Sequence, residues 1–311
     1  MIRARILLTL VYAGIFTLGH RASLAEESEA VAVIGEYQLR ESSIAWLLGR
    51  REMKGIAGAE KLALRRAAAH SLVKRHLALA ALLDSGGQSM KDHAERTVGD
   101  WKRQMQASGE SLESFARRNG TQTDVLIAEI RWQTVWNSYI KSKLVDANLR
   151  RFFERNPSRY DGTRIDISQI YLPEASQREW LEQISEKISR GEISFSEAAK
   201  KYSKAGSAET GGRVGPVRAI GDINPAVAEA VFSSRKEGLL PVIPSSRGLH
   251  LVYIHERQPG HGSFDELDTL SEVRRDAADF LFDYLAGEQA KKTPVRWLDE
   301  SLGQGFLETS P

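Results

Sequence analysis

The stretch SAETGGRVGPV, residues 207–217, places three glycines within five positions, at Gly211, Gly212 and Gly215. Glycine-rich loops often hold phosphate groups, but this spacing matches neither G-x-G-x-x-G nor G-x-x-x-x-G-K-[ST]. The loop also leads into a segment that favours a strand, so no helix N-terminus would face a bound anion. The loop therefore predicts a shaped turn before a strand and argues against a nucleotide site.

The segments on both sides of this loop alternate between strand and helix patterns. RIDISQIYL (164–172) is short and β-branched, as strands are. Ser194 and Glu197 form a capping box, and Asn224 with Pro225 marks a further helix start. The predicted elements are a strand over 164–172, helices over 174–191 and 194–203, a strand after the loop, a helix from Asn224, and two strands within 239–256 that turn at Arg247-Gly248. The order βααβαββ over about 163–257 predicts an α+β module.

The segments outside this module are mainly helical. Apolar residues recur at helical spacing over 59–84, and Gly86-Gly87 ends that pattern. Trp132, Trp136 and Tyr139 spread over the surface of a later helix, which favours helix–helix packing over a ligand site. The other predicted elements are a strand near 31–34, helices over 89–107, 110–119 and 147–156, a helix from Ser263 to about Gln289 opened by a Ser263–Glu266 capping box, and a strand in PVRWL (294–298). These parts predict one helical unit interrupted by the α+β module.

The first 25 residues are typical of an export signal. Two arginines precede the apolar run 6–19, which is too short to span a bilayer comfortably. Small residues at Ser23 and Ala25 suit cleavage before Glu26; an uncleaved anchor is the alternative. Cleavage would remove three arginines and no acid, so the net charge would move from +2 to −1. That balance argues against nucleic acid as a partner.

The composition fits a globular protein of one or two domains, with 41% hydrophobic and 27% charged residues over 311 positions. The sequence contains no cysteine. Disulfides, thiolate metal sites and thiol catalysis are therefore excluded, and no cluster of metal-ligating residues stands out.

The α+β module resembles the parvulin-type peptidyl-prolyl isomerase domain. Four segments carry the resemblance in family order and at family spacing: ISQIYL (167–172), FSEAAKKYSKAGSAETGGRVGPV (195–217), INPAVAEAVFSSRKEGLLPVI (223–243) and SSRGLHLVYIHER (245–257). The resemblance is specific because several motifs must coincide. It implies a parvulin-like βααβαββ fold.

The flanking segments resemble the layout of SurA/PrsA-like exported folding factors. Those segments are the export signal, the helical block with LESFARRNGTQTDVLIAEIRWQTVWNSYI (112–140), RRFFERNPSRY (150–160) and a C-terminal helix. The resemblance implies four parts: a signal peptide (1–25), an N-terminal helical chaperone-like domain (26–160), a parvulin-like isomerase domain (163–257), and a C-terminal helix and strand (263–298) that pack on the N-terminal domain.

The resemblance implies an exported prolyl isomerase and folding chaperone in the periplasm or cell envelope, with unfolded or proline-containing polypeptides as clients. X–Pro bonds interconvert slowly because a partial double bond must twist, with a barrier of about 18–20 kcal/mol. An apolar pocket that holds the proline ring, with polar groups that favour the twisted amide, lowers that barrier. This chemistry needs no metal and no small-molecule cofactor. The layout is compatible with a homodimer.

The resemblance also implies the site residues. Parvulins typically carry two histidines on central strands; here His250 holds the final-strand position and Gln169 the first-strand position. Ser245 holds the place of a hydroxyl often found nearby. We therefore expect a hydrogen-bonded cluster of Gln169, His250 and Ser245, with weak turnover because glutamine cannot become cationic. By residue type alone, both Gln169 and His250 also fit buried polar groups that need a partner. His255 lies in a polar stretch and is expected to be solvated.

By the same resemblance, Ile223, Val227 and Phe232 line the proline pocket. Val227 is smaller than the aromatic residue usual there, which predicts a shallow pocket with less buried apolar area. Lys204 and Ala205 occupy the loop position that often holds Asp or Cys, so no carboxylate or thiol is expected to face the X–Pro bond.

Three functions follow as alternatives. The first is an active exported isomerase. The second is a holdase chaperone whose parvulin-like module is degenerate and serves for peptide docking, with apolar grooves in the helical part. The third is a scaffold for one dedicated envelope partner. A hydrolase is disfavoured, because no Ser/His/Asp arrangement has supporting context.

Overall fold

The computed structural model of the chain describes residues 29–49, 58–245, 247–267 and 270–306. The predicted signal peptide and its cleavage point lie outside these residues. Contacts divide the chain into two units, which we call unit 1 (Met1–Leu144 with Ala278–Pro311) and unit 2 (Val145–Ala277). Among the described residues, no helix is both long enough and apolar enough to cross a bilayer.

The helices and strands of the described residues include the predicted elements and some that were not predicted. They are β1 (Ala30–Ile34), β2 (Tyr37–Arg40), α1 (Glu41–Gly49), α2 (Gly58–Ala107), α3 (Leu112–Arg118), α4 (Thr123–Lys143), α5 (Asp146–Arg155), β3 (Arg164–Leu172), α6 (Arg178–Ser189), α7 (Phe195–Tyr202), β4 (Arg213–Val217), α8 (Pro225–Ser233), β5 (Gly238–Leu239), β6 (Ile243–Ser245), β7 (Gly248–Gln258), α9 (Leu270–Ala290), β8 (Val295–Trp297) and α10 (Glu300–Gly303). The α+β assignment is confirmed.

Unit 1 combines long helices with a small antiparallel sheet of order β2-β1-β8. Ala32 of β1 lies opposite Trp297 of β8, so the strand near the C-terminal end completes a sheet begun near residue 30. Helix α2 contains one non-helical residue, Gly87, with φ 59° and ψ −156°. The sequence therefore marked the break correctly, although the helical path resumes after it and continues to Ala107.

Unit 2 is built on an antiparallel sheet of order β4-β3-β7-β5, with β6 also paired to β7. One face of the sheet packs on α6 and α7, and we call it the α6–α7 face. The other face packs on α8, and we call it the α8 face. The α6–α7 face buries Ile170, Leu172, Leu249 and Leu251 with Leu181 and Ala198. The α8 face buries Ile165, Ile167, Val252 and Ile254 with Val227 and Val231. Period-two alternation along β3 and β7 produces both faces.

The helix starts of unit 2 follow the predicted capping chemistry. Ser194 accepts a hydrogen bond from the backbone N–H of Glu197, and the Glu197 carboxylate accepts one from Ser194 N–H in return. Asn224 caps α8 with Pro225 in its first turn. The predicted βααβαββ order is confirmed, with β5 as an additional two-residue strand.

The helix predicted to start at Ser263 is a correction. Residues Phe264–Glu266 form a short 3-10 turn, and α9 is described only from Leu270. Ser263 Oγ donates to Glu266 at 2.7 Å, but its side chain accepts no backbone N–H. The two side chains thus satisfy each other instead of opening a long helix. The predicted domain boundaries stay predictions; α5 belongs to unit 2 by its contacts.

Candidate active site

The central strand pair places the predicted polar residues. Tyr171 of β3 lies opposite His250 of β7, and Gln169 lies opposite Val252, one pair farther along. Residues that pair across antiparallel strands share a face, as do residues two apart on one strand. Gln169 and His250 are therefore diagonal neighbours on the α8 face.

Ser245 and His250 form a direct hydrogen bond. Ser245 Oγ lies 2.9 Å from His250 Nε2, accepts from the Arg247 N–H at 3.1 Å, and lies 3.2 Å from the Gly248 carbonyl oxygen. A hydroxyl has one hydrogen to donate. All these contacts are satisfied together when Nε2–H donates to Oγ and the hydroxyl donates to Gly248. The short β6–β7 turn thus holds the imidazole in a defined orientation.

The expected three-residue hydrogen-bonded cluster forms only in part. The Ser245–His250 pair is confirmed, but His250 Nδ1 is buried and has no hydrogen-bond partner among the described residues, so the predicted bond to Gln169 is wrong. The register explains this result, because the residue opposite His250 is Tyr171. In the tautomer with Nε2–H, Nδ1 is an acceptor that a bound group could use.

Burial sets the charge state of the imidazole. His250 is 5% exposed, and this desolvation lowers the pKa of His250 below its ordinary value. The side chain is therefore neutral near neutral pH.

The three predicted pocket residues lie in one apolar cluster on the α8 face. Val227 is fully buried in its centre, while Ile223 and Phe232 are half-buried and pack against it. Ile243, the residue opposite His250 in the β6–β7 pairing, belongs to the same cluster. His250 and Phe232 therefore share a compartment. Val227 supports this cluster from beneath and would reach a ligand only if the cluster opened.

The three-glycine loop fixes strand β3 beside the site. The Gln169 N–H donates to the Gly212 carbonyl oxygen at 2.8 Å. Gly212 has φ +82°, and a Cβ there would come within 2.7 Å of the Gln169 carbonyl oxygen. Only glycine allows this close approach of two backbones. The three-glycine loop thus packs closely against the backbone of β3.

The polar loop before those glycines is also tied to β3. The Lys204 N–H donates to the Tyr171 carbonyl oxygen at 2.8 Å, and Ser203 Oγ accepts from the Tyr171 N–H at 3.1 Å. These bonds hold Lys204 and Ala205 next to the strand that carries Gln169. The side chain of Ala205 brings no acid or thiol to this position.

Sequence reasoning missed two residues. Tyr171 lies with its ring 5.1 Å from the His250 ring and donates its hydroxyl to the Arg247 carbonyl oxygen at 2.6 Å. Its place two residues after Gln169 was a usable signal, because that spacing keeps the same face. His255 was expected to be solvated; it is partly exposed, and its Nε2 also lies 2.8 Å from Ser168 Oγ.

The family model of the PPIC-type PPIASE domain (Rotamase) matches residues 172–256. This match lies inside the predicted module and includes the three-glycine loop and β7 up to residue 256. Among solved structures, the chain is similar to the peptidylprolyl isomerase PrsA of Bacillus anthracis, with 18% identity and a TM-score of 0.37, over 71% of this chain and 96% of that one.

Two curated relatives match a longer part of the chain than the family model does. "Chaperone SurA" of Aromatoleum aromaticum is 27% identical over 173 residues, which is 53% of this chain and 38% of that protein. "Chaperone SurA" of Bordetella parapertussis is 30% identical over 132 residues, which is 42% of this chain and 23% of that protein. The chain thus spans well under half the length of either relative. Residues 172–256 match the model of the PPIC-type PPIASE domain family, within a chain that is similar to SurA chaperones over about half of its length.

Proposed function

We propose that this protein is a peptidyl-prolyl cis-trans isomerase and folding chaperone for exported polypeptides. The observation that carries the isomerase proposal is the Ser245–His250 pair on the same sheet face as the Ile223–Phe232 apolar cluster. An apolar surface holds the proline ring, and fixed polar groups beside it act on the X–Pro amide. The family match of residues 172–256 supports the same reaction.

The catalytic contribution of each group follows from its position. Ile223 and Phe232 present half-buried apolar surface for the ring. Ser245 holds His250 rigid, so its dipole needs no reorganisation as the amide twists. Gln169 offers an amide that both donates and accepts, in place of the second histidine of typical parvulins. Because the bond twists without covalent attack, none of these groups has to act as a nucleophile.

Refolding of a test protein tests the isomerase proposal. The slow phase of refolding that is limited by prolyl isomerisation takes about 10–100 s at 25 °C without a catalyst. Substoichiometric protein should shorten this phase, and His250→Ala should not. A slow phase unchanged by the folded wild type would contradict the proposal.

A holdase is the second candidate, and unit 1 offers an observation in its favour. Phe280 and Tyr284 of α9 are 53% and 56% exposed, and their rings stack with centroids 6.3 Å apart. Large exposed aromatic surface is a common feature of polypeptide-binding sites. We propose that these rings contact unfolded clients.

The holdase proposal has a separate test. The double variant Phe280→Ala/Tyr284→Ala should suppress the aggregation of a thermally unfolded test protein less well than the wild type. Leu298→Ala is the matched control, because Leu298 is also an exposed apolar side chain of unit 1. Equal suppression by all three proteins would remove these rings from the client-binding surface.

Export to the periplasm or cell envelope is part of the same proposal and rests on the pattern of residues 1–25. Mass spectrometry of the protein from fractionated cells checks it: a mature N-terminus at Glu26 supports cleavage after Ala25. An intact N-terminus would favour the anchor. Binding to proline-containing clients and a homodimer also stay proposals.

A further inference from the structure

Unit 2 has a second concave surface, distinct from the candidate active site. It is an open groove of about 610 Å³ between the α6–α7 connection, the start of α7 and strand β7, and we call it the α7 groove. This volume lies in the range of typical ligand pockets, about 300–1,000 Å³. Its lining includes Ile193, Phe195, Tyr253 and His255, with Glu192 and Glu197.

The α7 groove lies on the opposite face of the sheet from His250. Along β7, His250 and Val252 point to the α8 face, so Tyr253 points to the other face. Phe195 packs with the core of that other face. A ligand in the groove would therefore leave the Ser245–His250 pair accessible, and the two sites can be tested separately.

The floor of the groove is aromatic. The rings of Phe195 and Tyr253 have centroids 6.0 Å apart, and those of Tyr253 and His255 lie 5.0 Å apart. His255 is held by Ser168 on its Nε2 side. Burial, and then the nearby Arg213 charge, lower the pKa of His255, so this ring is neutral near neutral pH. The faces of aromatic rings attract cations.

The charged residues of the lining are both acids. Glu192 and Glu197 are exposed at the rim. Hydrogen bonds from Ser194 lower the pKa of Glu197, which keeps its carboxylate ionised. The same bonds satisfy the N-terminus of α7 within the chain, so this helix end does not require an external anion. The lining therefore favours the binding of a positively charged group.

Neighbouring arginines have partners of their own. Arg190 forms ion pairs with Glu186, at 3.1 Å, and through its other terminal nitrogen with Glu192, at 3.7 Å. Arg213 pairs with Asp166. Neither arginine lines the groove. The hydrogen bonds of the Glu197 carboxylate come from the uncharged Ser194, so this acid brings negative charge to the rim.

We propose that the α7 groove binds a lysine or arginine side chain of an extended polypeptide, with the cation over Tyr253 and Phe195 and between Glu192 and Glu197. This inference rests on the proposed function in that polypeptide clients are the ligands. It adds a preference for basic segments at a surface separate from the isomerase site.

Binding of two proline-free peptides tests the proposal with the full chain. One probe is Ac-Ala-Lys-Val-Lys-Ala-NH2 and the other carries glutamine in place of both lysines. NMR titration should show the lysine peptide shifting resonances of Phe195, Tyr253 and His255, with at least about tenfold weaker binding of the glutamine peptide. Added salt should weaken binding of the lysine peptide, because the charged contacts are exposed to solvent.

Variants locate the effect. Glu192→Gln/Glu197→Gln should weaken binding of the lysine peptide by about tenfold; glutamine at 197 keeps the capping box. Glu174→Gln/Glu179→Gln removes the same charge from exposed positions outside the groove and should leave the affinity within about twofold. Equal binding of both peptides, equal affinity of both double variants, or shifts mapped away from the groove would overturn the proposal.

The readout is independent of catalysis, because neither peptide contains proline. If the protein binds the lysine peptide but fails to accelerate X–Pro exchange, the binding proposal for the α7 groove is supported and the isomerase proposal is contradicted. If the protein accelerates X–Pro exchange but binds both peptides equally, the isomerase proposal is supported and the binding proposal for the α7 groove is contradicted.

Discussion

Ser245 Oγ lies 2.9 Å from His250 Nε2, and the two residues stand on adjacent strands joined by one tight turn. The bond fixes the ring of a buried histidine while its Nδ1 atom has no hydrogen-bond partner in the described part of the chain. An unsatisfied buried polar atom is costly in a folded protein. Its presence on the same sheet face as the half-buried Ile223 and Phe232 supports a site that is completed by a ligand.

Removal of the imidazole should abolish most of the catalysis. We expect His250→Ala to lower the acceleration of X–Pro exchange at least about tenfold, equivalent to ~1.4 kcal/mol of transition-state stabilisation. His261→Ala is the matched control in the same unit, because His261 is exposed. Exchange NMR on both variants measures the difference. Equal rates for the two would remove His250 from the catalytic machinery.

A histidine at the first-strand position should raise activity. In Gln169→His the new imidazole would stand on the same face as His250 and restore the usual parvulin pair. We expect a rate increase of roughly tenfold, or ~1.4 kcal/mol. An unchanged or lower rate in the folded variant would show that Gln169 is not the reason for weak turnover.

Val227 should behave as a core residue. Its side chain is 0% exposed, so Val227→Ala leaves a cavity and should cost about 2 kcal/mol of the free energy of unfolding. Val214→Ala, at an exposed strand position, should stay within about 0.5 kcal/mol. Urea unfolding of both variants decides the point. A small effect for Val227→Ala would instead indicate a loosely packed pocket.

Acid should destabilise the protein before its carboxylates titrate. Burial lowers the pKa values of His70, His76, His250 and His255, whereas an unfolded histidine has a pKa of about 6.5. Between those values the unfolded state binds more protons, so the stability present above about pH 6.5 is lost as the pH falls through the folded pKa values.

Two measurements check this pH dependence. The urea concentration at the unfolding midpoint should decrease when the pH is lowered from about 7.5 to about 5.5. The decrease should be smaller in His250→Gln. The NMR titration of His250 should have its midpoint below about 6.5. A midpoint above that value, or greater stability in acid, would contradict the assigned burial.

Substitution in the three-glycine loop should destabilise the protein most at Gly212. Gly212→Ala combines φ +82° with a Cβ contact of 2.7 Å to backbone, and we expect a loss of about 3 kcal/mol. Gly191 has φ +72° but open space around it, so Gly191→Ala should cost only about 1–2 kcal/mol. Similar losses for both would mean that the β3 contact at Gly212 is not tight.

The sequence predicted the elements of unit 2 well because their signals are local. Capping residues such as Ser194 and Asn224 and the glycines of the loop act within a few positions of themselves. Local signals failed at Ser263, where the same residue pair forms a short turn without opening a helix. A capping-box pattern therefore favours a helix start but does not ensure one.

Contacts between distant strands could not be predicted in the same way. The pairing of Tyr171 with His250 depends on a register across nearly eighty residues, and a register shift lies between Asp166 and Ile167. One residue of slip exchanges the two faces of a strand. The Ser168–His255 contact follows from that register, and so does the absence of a Gln169–His250 bond, so neither could be read from spacing alone.

Exchange NMR on a short peptide with one X–Pro bond tests the central claim most directly. With substoichiometric wild-type protein, cross-peaks between the cis and trans forms should appear within seconds, against spontaneous exchange over about 10–100 s, and they should vanish with His250→Ala. Exchange that stays at the spontaneous rate in the presence of folded wild-type protein would contradict the isomerase assignment.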